Sequence, residues 1–418
     1  MAPALRRRLA PRPERQVAVS RRVTQRESVN AADDDKRCVI VSPFSEQRGG
    51  AELSLMHLLT GGDINGVRWS VALPADGGIA STARSAGCDV EVLGETRARQ
   101  PIRMTQAVWR LRRLIRRQKA DLVLAWMPHS HWWGLPAALS CGVPAAWFQK
   151  DRVQPGRLST RLTNRLPCRG ILANSLYTAR NQRPLSQTHP ILVVPSGFEI
   201  DRFDPSRIGT VAECRQQLGL GDGPLIGSVG RLQSWKGHHV LIEALAKVRS
   251  SVPDARLIIV GGAHPGEADY EQALHRQVKE AGLDESVIFT GAVPHATVPA
   301  YMQACDVLAH AGEGEPFGIV VAEAMALGKP LVAADSGGPA TTVTEGVDGL
   351  LAPPTDATKY AEQLLRLLGP EGQQLGKAAR TNAMTYSVDV FRQRAAQAVA
   401  ALVNGLEPGI YLDGAKVE

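Results

Sequence analysis

The stretch "CDVLAHAGEGEPFGIVVAEAMALGKPLVAAD", residues 305–335, decides the fold. It opens on an apolar run, turns through Gly312, Gly314 and Gly318, and continues as an apolar segment of helical length. A second apolar run closes it at 330–335. Two short runs, apolar on both faces and joined by a helix, read as a βαβ unit from a parallel sheet covered on each side. The glycine turn stands where a strand ends and a helix begins, the place at which such sheets bind ligands.

Working outward, the alternation repeats on both sides. "PLIGSVGRL" (224–232), "ARLIIVGG" (255–262), "SVIFTGAV" (286–293) and "GLLAPP" (349–354) are further strand candidates around the opening unit. Earlier in the chain, "RCVIVSPF" (37–44), "WSVALP" (69–74), "DLVLAW" (121–126), "AAWFQK" (145–150), "GILANS" (170–175) and "ILVVPS" (191–196) form a separate series. The expected fold class is α/β, two tandem Rossmann-like doubly wound domains facing a central cleft. Residues 1–36 read as a disordered basic leader, 37–198 as the first domain and 199–385 as the second. Residues 386–418 read as a last helix that crosses back to the first domain, followed by a tail.

The bulk properties exclude several classes. A chain of 418 residues with 44% hydrophobic and 21% charged residues fits a multidomain globular protein. No apolar run reaches the roughly 20 residues that span a bilayer, and no apolar segment follows the basic N-terminus as in a secretory signal. Six cysteines without C-x-x-C spacing suit neither a zinc site nor a disulfide framework, so a reduced, cytoplasmic setting is expected. The net charge of +7 concentrates in the leader and in "RMTQAVWRLRRLIRRQK" (103–119), where helical spacing puts the arginines opposite an apolar face. That helix reads either as a solvated face or as a contact with anionic lipid at the inner face of the plasma membrane. No fold motif or aromatic interleaving accompanies the arginines, so nucleic acid is not an expected partner.

Candidate site residues cluster after strand ends. "GRLQSWKG" places Arg231 and Lys236 between a strand and a helix, where two cations suit a diphosphate leaving group. Gly49 and Gly50 open the first helix of the first domain and let backbone N–H groups approach an anion. "WMPHSH" puts His129 and His131 at the end of what reads as the third strand. In the opening stretch, Glu315 falls just before the helix and Glu323 about two turns later. The glycines there follow G-x-G-x-x-x-G, one residue longer than a dinucleotide fingerprint. No D-x-D stands at a strand end, so no metal or other cofactor is expected.

Taken together, "VGRLQSWKG" and "DVLAHAGEGEPFGIVVAEAMALGKPLVAADSGGPATTVTEGVDGLLAPP", with its Glu-x7-Glu spacing, resemble the retaining nucleotide-sugar glycosyltransferases of the GT-B fold, in the group 1 and family 4 lineage. "VVPSGFEIDRF" is similar to the interdomain signature of that family, with Ser196 where Asn is common and Glu199 where Asp is common. The resemblance implies that Arg231 and Lys236 bind the donor diphosphate and that Glu323 bonds the ribose hydroxyls. It implies that Glu315 holds the transferred sugar, while Gly318 and Ile319 offer backbone N–H groups. Gly49 and Gly50 approach the diphosphate from the first domain, and Gly337 and Gly338 shape a neighbouring loop. Many relatives carry a histidine where this chain has Trp126, so the resemblance is to a subgroup whose histidine comes three residues later. That selects His129, with His131 as substitute. The implied activity is transfer of a sugar from a UDP- or GDP-sugar to a carbohydrate or lipid-linked acceptor with retention, in cell-envelope or surface glycan synthesis. Two other readings are an NAD(P)-dependent oxidoreductase using the near-fingerprint and a non-catalytic binding module on the same fold.

Overall fold

A computed structural model of the chain describes residues 35–46, 49–94, 101–264 and 266–418. The expectation for the basic leader falls outside them up to residue 34, and Lys36 already belongs to the first strand.

Two parallel sheets organise the chain. The first contains β1 (Lys36–Val41), β2 (Val67–Leu73), β3 (Asp89–Val92), β4 (Leu122–Ala125), β5 (Ala145–Gln149), β6 (Ile171–Ala173) and β7 (Pro190–Val193). The second contains β8 (Leu225–Val229), β9 (Arg256–Val260), β10 (Val287–Phe289), β11 (Val307–His310), β12 (Leu331–Ala334) and β13 (Leu350–Ala352). The order is β7-β6-β5-β4-β1-β2-β3 in one and β10-β9-β8-β11-β12-β13 in the other. Each order reverses once, between β1 and β4 and between β8 and β11. Loops leaving the strand ends on either side of such a reversal diverge and open a crevice.

Alternation along each strand explains the two-sided core. Cys38 and Ile40 pack with the Gly50–Leu59 helix on one face, while Val39 and Val41 meet Leu111, Leu114 and Ile115 on the other. In the second sheet Leu257 and Ile259 face one way, and Ile258 and Val260 the other. Because both faces are covered, the strands are short and almost wholly apolar.

Several expectations need correction. The strand before "WMPHSH" is the fourth of its sheet, because "DVEV" (Asp89–Val92) forms β3 at the edge. Four residues alternating between charged and half-buried carry too little apolar signal to be read as a strand. The basic helix read over 103–119 begins two residues earlier, at Pro101, and ends at Gln118. The tail is structured as well: β14 (Gly409–Leu412) joins the first sheet parallel to β7, and β15 (Ala415–Lys416) pairs antiparallel with it. The turn between them uses Asp413 and Gly414 at φ 48° and 81°, the doubly positive pattern of a tight hairpin.

The Val388–Asn404 helix buries Phe391, Ala395, Val399 and Leu402 among first-domain side chains. The Arg392 guanidinium donates to the carbonyl of His57 at 2.7 Å and so fastens the helix to the C-terminal end of Gly50–Leu59. No helix among the described residues is long and apolar enough to cross a membrane, and all six cysteines are unpaired.

Candidate active site

The loops leaving both reversal points line one cleft of about 920 Å³. From the first sheet come Gly49 and Gly50 after β1, His129 and Trp132 after β4, and Gln149, Lys150, Asp151 and Arg152 at the end of β5. From the second come Arg231 and Trp235 after β8, and Glu315, Phe317, Gly318, Ile319 and Glu323 after β11.

The opening stretch builds the floor. The helix after β11 is Ile319–Ala326, capped by Gly318 in the left-handed region at φ 82°. Glu315 therefore lies in the turn before the helix, and Glu323 one turn inside it. Gly318, Ile319 and Val320 line the cleft at the start of that helix, where the first amides have no partner within it. The Gly337–Gly338 pair explains how the loop after β12 fits underneath. A Cβ on Gly337 would stand 2.6 Å from the Glu315 carbonyl, and one on Gly338 would run into the Phe317 backbone. With no Cβ there, the Gly338 N–H reaches the Glu315 carbonyl at 2.6 Å.

The two glutamates differ in charge state. Burial alone would raise the pKa of Glu315, but the Lys236 ammonium at 2.5 Å and then His310 at 3.6 Å outweigh it and hold it at about 2. Glu315 is thus a fixed carboxylate. Glu323 is 5% exposed and accepts no hydrogen bond from a described residue. Burial pushes it up to about 7, opposed only by the charge of Arg202. Lys236 reaches the cleft through Glu315 rather than lining it, whereas Arg231 is exposed to the cleft and makes no ion pair among the described residues.

The histidines separate. His129 opens to the cleft, with its ring edge-on to Phe44 at 6.4 Å and Trp133 at 6.0 Å. Though its ring is partly exposed, surrounding protein withdraws bulk water and lowers its pKa. His131 is fully buried behind it, with Nε2 on the Pro167 carbonyl at 3.0 Å and the ring 5.1 Å from Trp147; burial takes its pKa down to about 4. Trp126 is also fully buried, and its indole N–H donates to the Ala51 carbonyl at 2.8 Å, under the helix that Gly49 and Gly50 open.

The residues ending β5 were missed by the sequence reading, although the strand-end logic applies to them. Lys150 is 6% exposed and its ammonium donates to Ser54 Oγ at 2.8 Å. The rings of Phe148, Trp126 and Phe391 stand 3.9, 5.0 and 5.4 Å from it, and no carboxylate of a described residue lies within ion-pair distance. Burial brings its pKa down to about 7, with Asp151 opposing. Asp151 itself is raised, by burial and then by Glu52.

This geometry can hold a phosphate-bearing ligand between Arg231 and two helix N-termini, with one ionised and one protonatable carboxylate for hydroxyl groups. Comparison with known proteins agrees. The family model for glycosyl transferases group 1 matches residues 211–383, and that for glycosyltransferase family 4 matches residues 48–202. A D-inositol 3-phosphate glycosyltransferase of Acidothermus cellulolyticus is 32% identical over 62% of this chain and 64% of its own. A GDP-mannose-dependent alpha-(1-6)-phosphatidylinositol monomannoside mannosyltransferase of Mycolicibacterium smegmatis is 39% identical over 39% of this chain and 43% of its own. The chain spans about half the length of the curated relatives it matches. The structure of Anabaena HepE with UDP-glucose superposes with a TM-score of 0.72 at 29% identity, covering 87% of this chain and 99% of that one.

Proposed function

Because the chain belongs to the glycosyl transferases of group 1, we propose that it moves a sugar from a UDP- or GDP-sugar to a carbohydrate or lipid-linked acceptor, with retention of the anomeric configuration. The observation that carries this reading is the division of labour between two carboxylates on one loop and helix, Glu315 ionised and Glu323 unpartnered. Glu323 suits the ribose hydroxyls and Glu315 the hydroxyls of the transferred sugar. Arg231 and the amides of Gly318 and Ile319 meet the diphosphate, with Gly49 and Gly50 facing it across the cleft and Lys236 behind Glu315.

The chemistry follows from those placements. The bond between the anomeric carbon and the phosphate oxygen breaks, and its electron pair goes to the diphosphate. Arg231 neutralises that growing charge directly, with the Lys236 cation adding to the field from behind Glu315, the part a metal plays elsewhere. The acceptor hydroxyl attacks from the same face, and its proton passes to the departing phosphate oxygen. His129 supports the sugar as positive charge develops on its ring. Glu315 and Glu323 stand on one side of the donor, so neither is placed to flank the bond as a glycosidase pair does.

For a lipid-linked acceptor, the partner surface is the Pro101–Gln118 helix. Ile102 and Trp109 are 75% and 62% exposed on a stripe shared with Arg113 and Arg116. An exposed indole and isoleucine beside arginines that form no ion pair with a described residue complement an anionic bilayer surface. Vesicles with phosphatidylglycerol, unlike neutral ones, are expected to pellet the protein, and R113E/R116E to abolish this. Equal pelleting by both would remove the membrane from the reading.

The deciding experiment is a screen of UDP- and GDP-sugars for donor hydrolysis and transfer, with product anomers read by NMR. E315Q and H129A should suppress turnover, and EDTA should leave it unchanged. Stabilisation by NAD with no response to any sugar nucleotide would sink the proposal.

A further inference from the structure

The loop that carries Glu315 is held from the first domain as well as from its own. Ser175, 2% exposed, ends the segment after β6 and caps the Leu176–Gln182 helix by accepting the Thr178 N–H at 3.0 Å. Its hydroxyl then donates across the cleft to the carbonyl of Pro316 at 2.5 Å, and Thr178 Oγ1 donates to the same carbonyl at 3.2 Å. That carbonyl belongs to the residue directly after Glu315. Arg152, at the end of β5, places its guanidinium 5.5 Å from the Trp235 ring, and the Glu313 N–H donates to the Trp235 carbonyl at 2.8 Å. Gly314 leaves room for this approach: at φ 59°, a Cβ on it would stand 2.8 Å from an Arg152 nitrogen and 3.1 Å from the Tyr177 hydroxyl.

We propose that Ser175, Thr178 and Arg152 are positioning residues that set Glu315 on the transferred sugar only while the two domains face each other. This rests on the assignment of Glu315 to the sugar. Arg231 and Glu323 stand on the second domain and owe their placement to it, so their hold on the nucleotide does not pass through this clamp. Glu315 is different, because the far side of its loop is fastened by first-domain hydroxyls. If the domains part, the Pro316 carbonyl exchanges both hydroxyls for water, while Ser175 and Thr178 keep only their own contact at 3.1 Å, so the clamp on the loop is lost. Nucleotide binding and sugar alignment are thereby separated, and the acceptor-side domain governs the second. A displacement of the clamp by about 1 Å is enough to slow turnover on the order of 100-fold.

The test uses variants that divide the two roles of Ser175. Thr178→Val keeps shape and removes one donor. Ser175→Asp keeps a side-chain acceptor for the helix cap but cannot donate to Pro316. Ser175→Ala loses both. For the full chain, UDP affinity is measured by calorimetry, UDP-glucose hydrolysis gives kcat and KM, and hydrogen exchange is followed in the peptide 311–319. We expect UDP affinity within about twofold of wild type and kcat lower by about 10- to 100-fold in Ser175→Asp and Thr178→Val. The loop peptide should exchange faster in both. Wild-type kcat in both variants, or UDP affinity falling in step with kcat, overturns the proposal. If the wild-type chain hydrolyses no sugar nucleotide, the functional reading has failed, and the exchange measurement still decides this inference: unchanged exchange in Ser175→Asp refutes it.

Discussion

Replacing Glu323 with glutamine gives the sharpest test of the donor site. Burial holds this carboxyl at about 7, against 4.5 when solvated, and no described side chain donates to it. Ribose hydroxyls donate to the ionised form, so nucleotide binding has to expel the proton. With a pKa of about 7, only about 3% of the chain carries the carboxylate at about pH 5.5. Apparent affinity for a sugar nucleotide should therefore fall about 30-fold, or ~2 kcal/mol, between about pH 8 and 5.5. Each phosphate of a sugar nucleotide carries a single, strongly acidic proton, so the ligand contributes no titration of its own in this range. Stability runs the other way. The folded-state pKa lies above the unfolded one, so the folded chain holds an extra proton between about 4.5 and 7, and stability falls as pH rises across that window, by up to ~3 kcal/mol. The glutamine variant loses both effects: it binds weakly with a flat pH profile and resists urea better than wild type above about pH 7. Calorimetry of UDP-glucose binding near pH 6, in buffers of different ionisation enthalpy, reads the proton directly, with close to one released by wild type and none by the variant. A wild-type affinity that ignores pH, or a variant that binds as tightly at pH 8, would refute the reasoning.

Three further outcomes follow from the same geometry. Lys236→Met leaves the Glu315 carboxylate buried without its partner and should lower unfolding free energy by about 3 kcal/mol, with much of it restored in K236M/E315Q; a denaturant double-mutant cycle measures the coupling. His129→Ala should cut UDP-glucose turnover on the order of 100-fold at unchanged melting temperature. His131→Ala should instead destabilise by about 1–3 kcal/mol through the orphaned Pro167 carbonyl while sparing turnover. Leu402→Ala, in the helix that returns to the first domain, should destabilise by about 2–5 kcal/mol in urea without altering UDP affinity.

The reading from sequence succeeded where the chain repeats one physical pattern. Runs such as "RLIIV" and "PLVAAD" are apolar on both faces because helices cover both, and that signal is local. It failed at the sheet margins. "DVEV" sits at an edge and half faces water, and "GIYLDGAK" looks like a tail unless its Asp-Gly turn is taken as a hairpin signal. In the cleft, Arg231, Glu315, Glu323 and His129 were reachable because each follows a strand end. The same argument reaches Gln149 to Arg152 once β5 is treated alike. What no local pattern reveals is pairing across distance. Lys236 meets Glu315 79 positions away and Ser175 meets Pro316 141 positions away, so those partnerships exist only after both sheets are folded.

The position of β14 bears on how the protein is made. β7 leaves the ribosome with one edge open, and the strand that closes it, Gly409–Leu412, is synthesised only after the whole of the second sheet. At about 5–20 residues per second, the roughly 215 intervening residues take about 10–40 s to appear. During that interval the second sheet, complete by Ala352, has all its strands while the first lacks β14 and β15. Maturation therefore runs against the order of synthesis, and the exposed β7 edge is the point at which a nascent chain most needs protection from pairing with another.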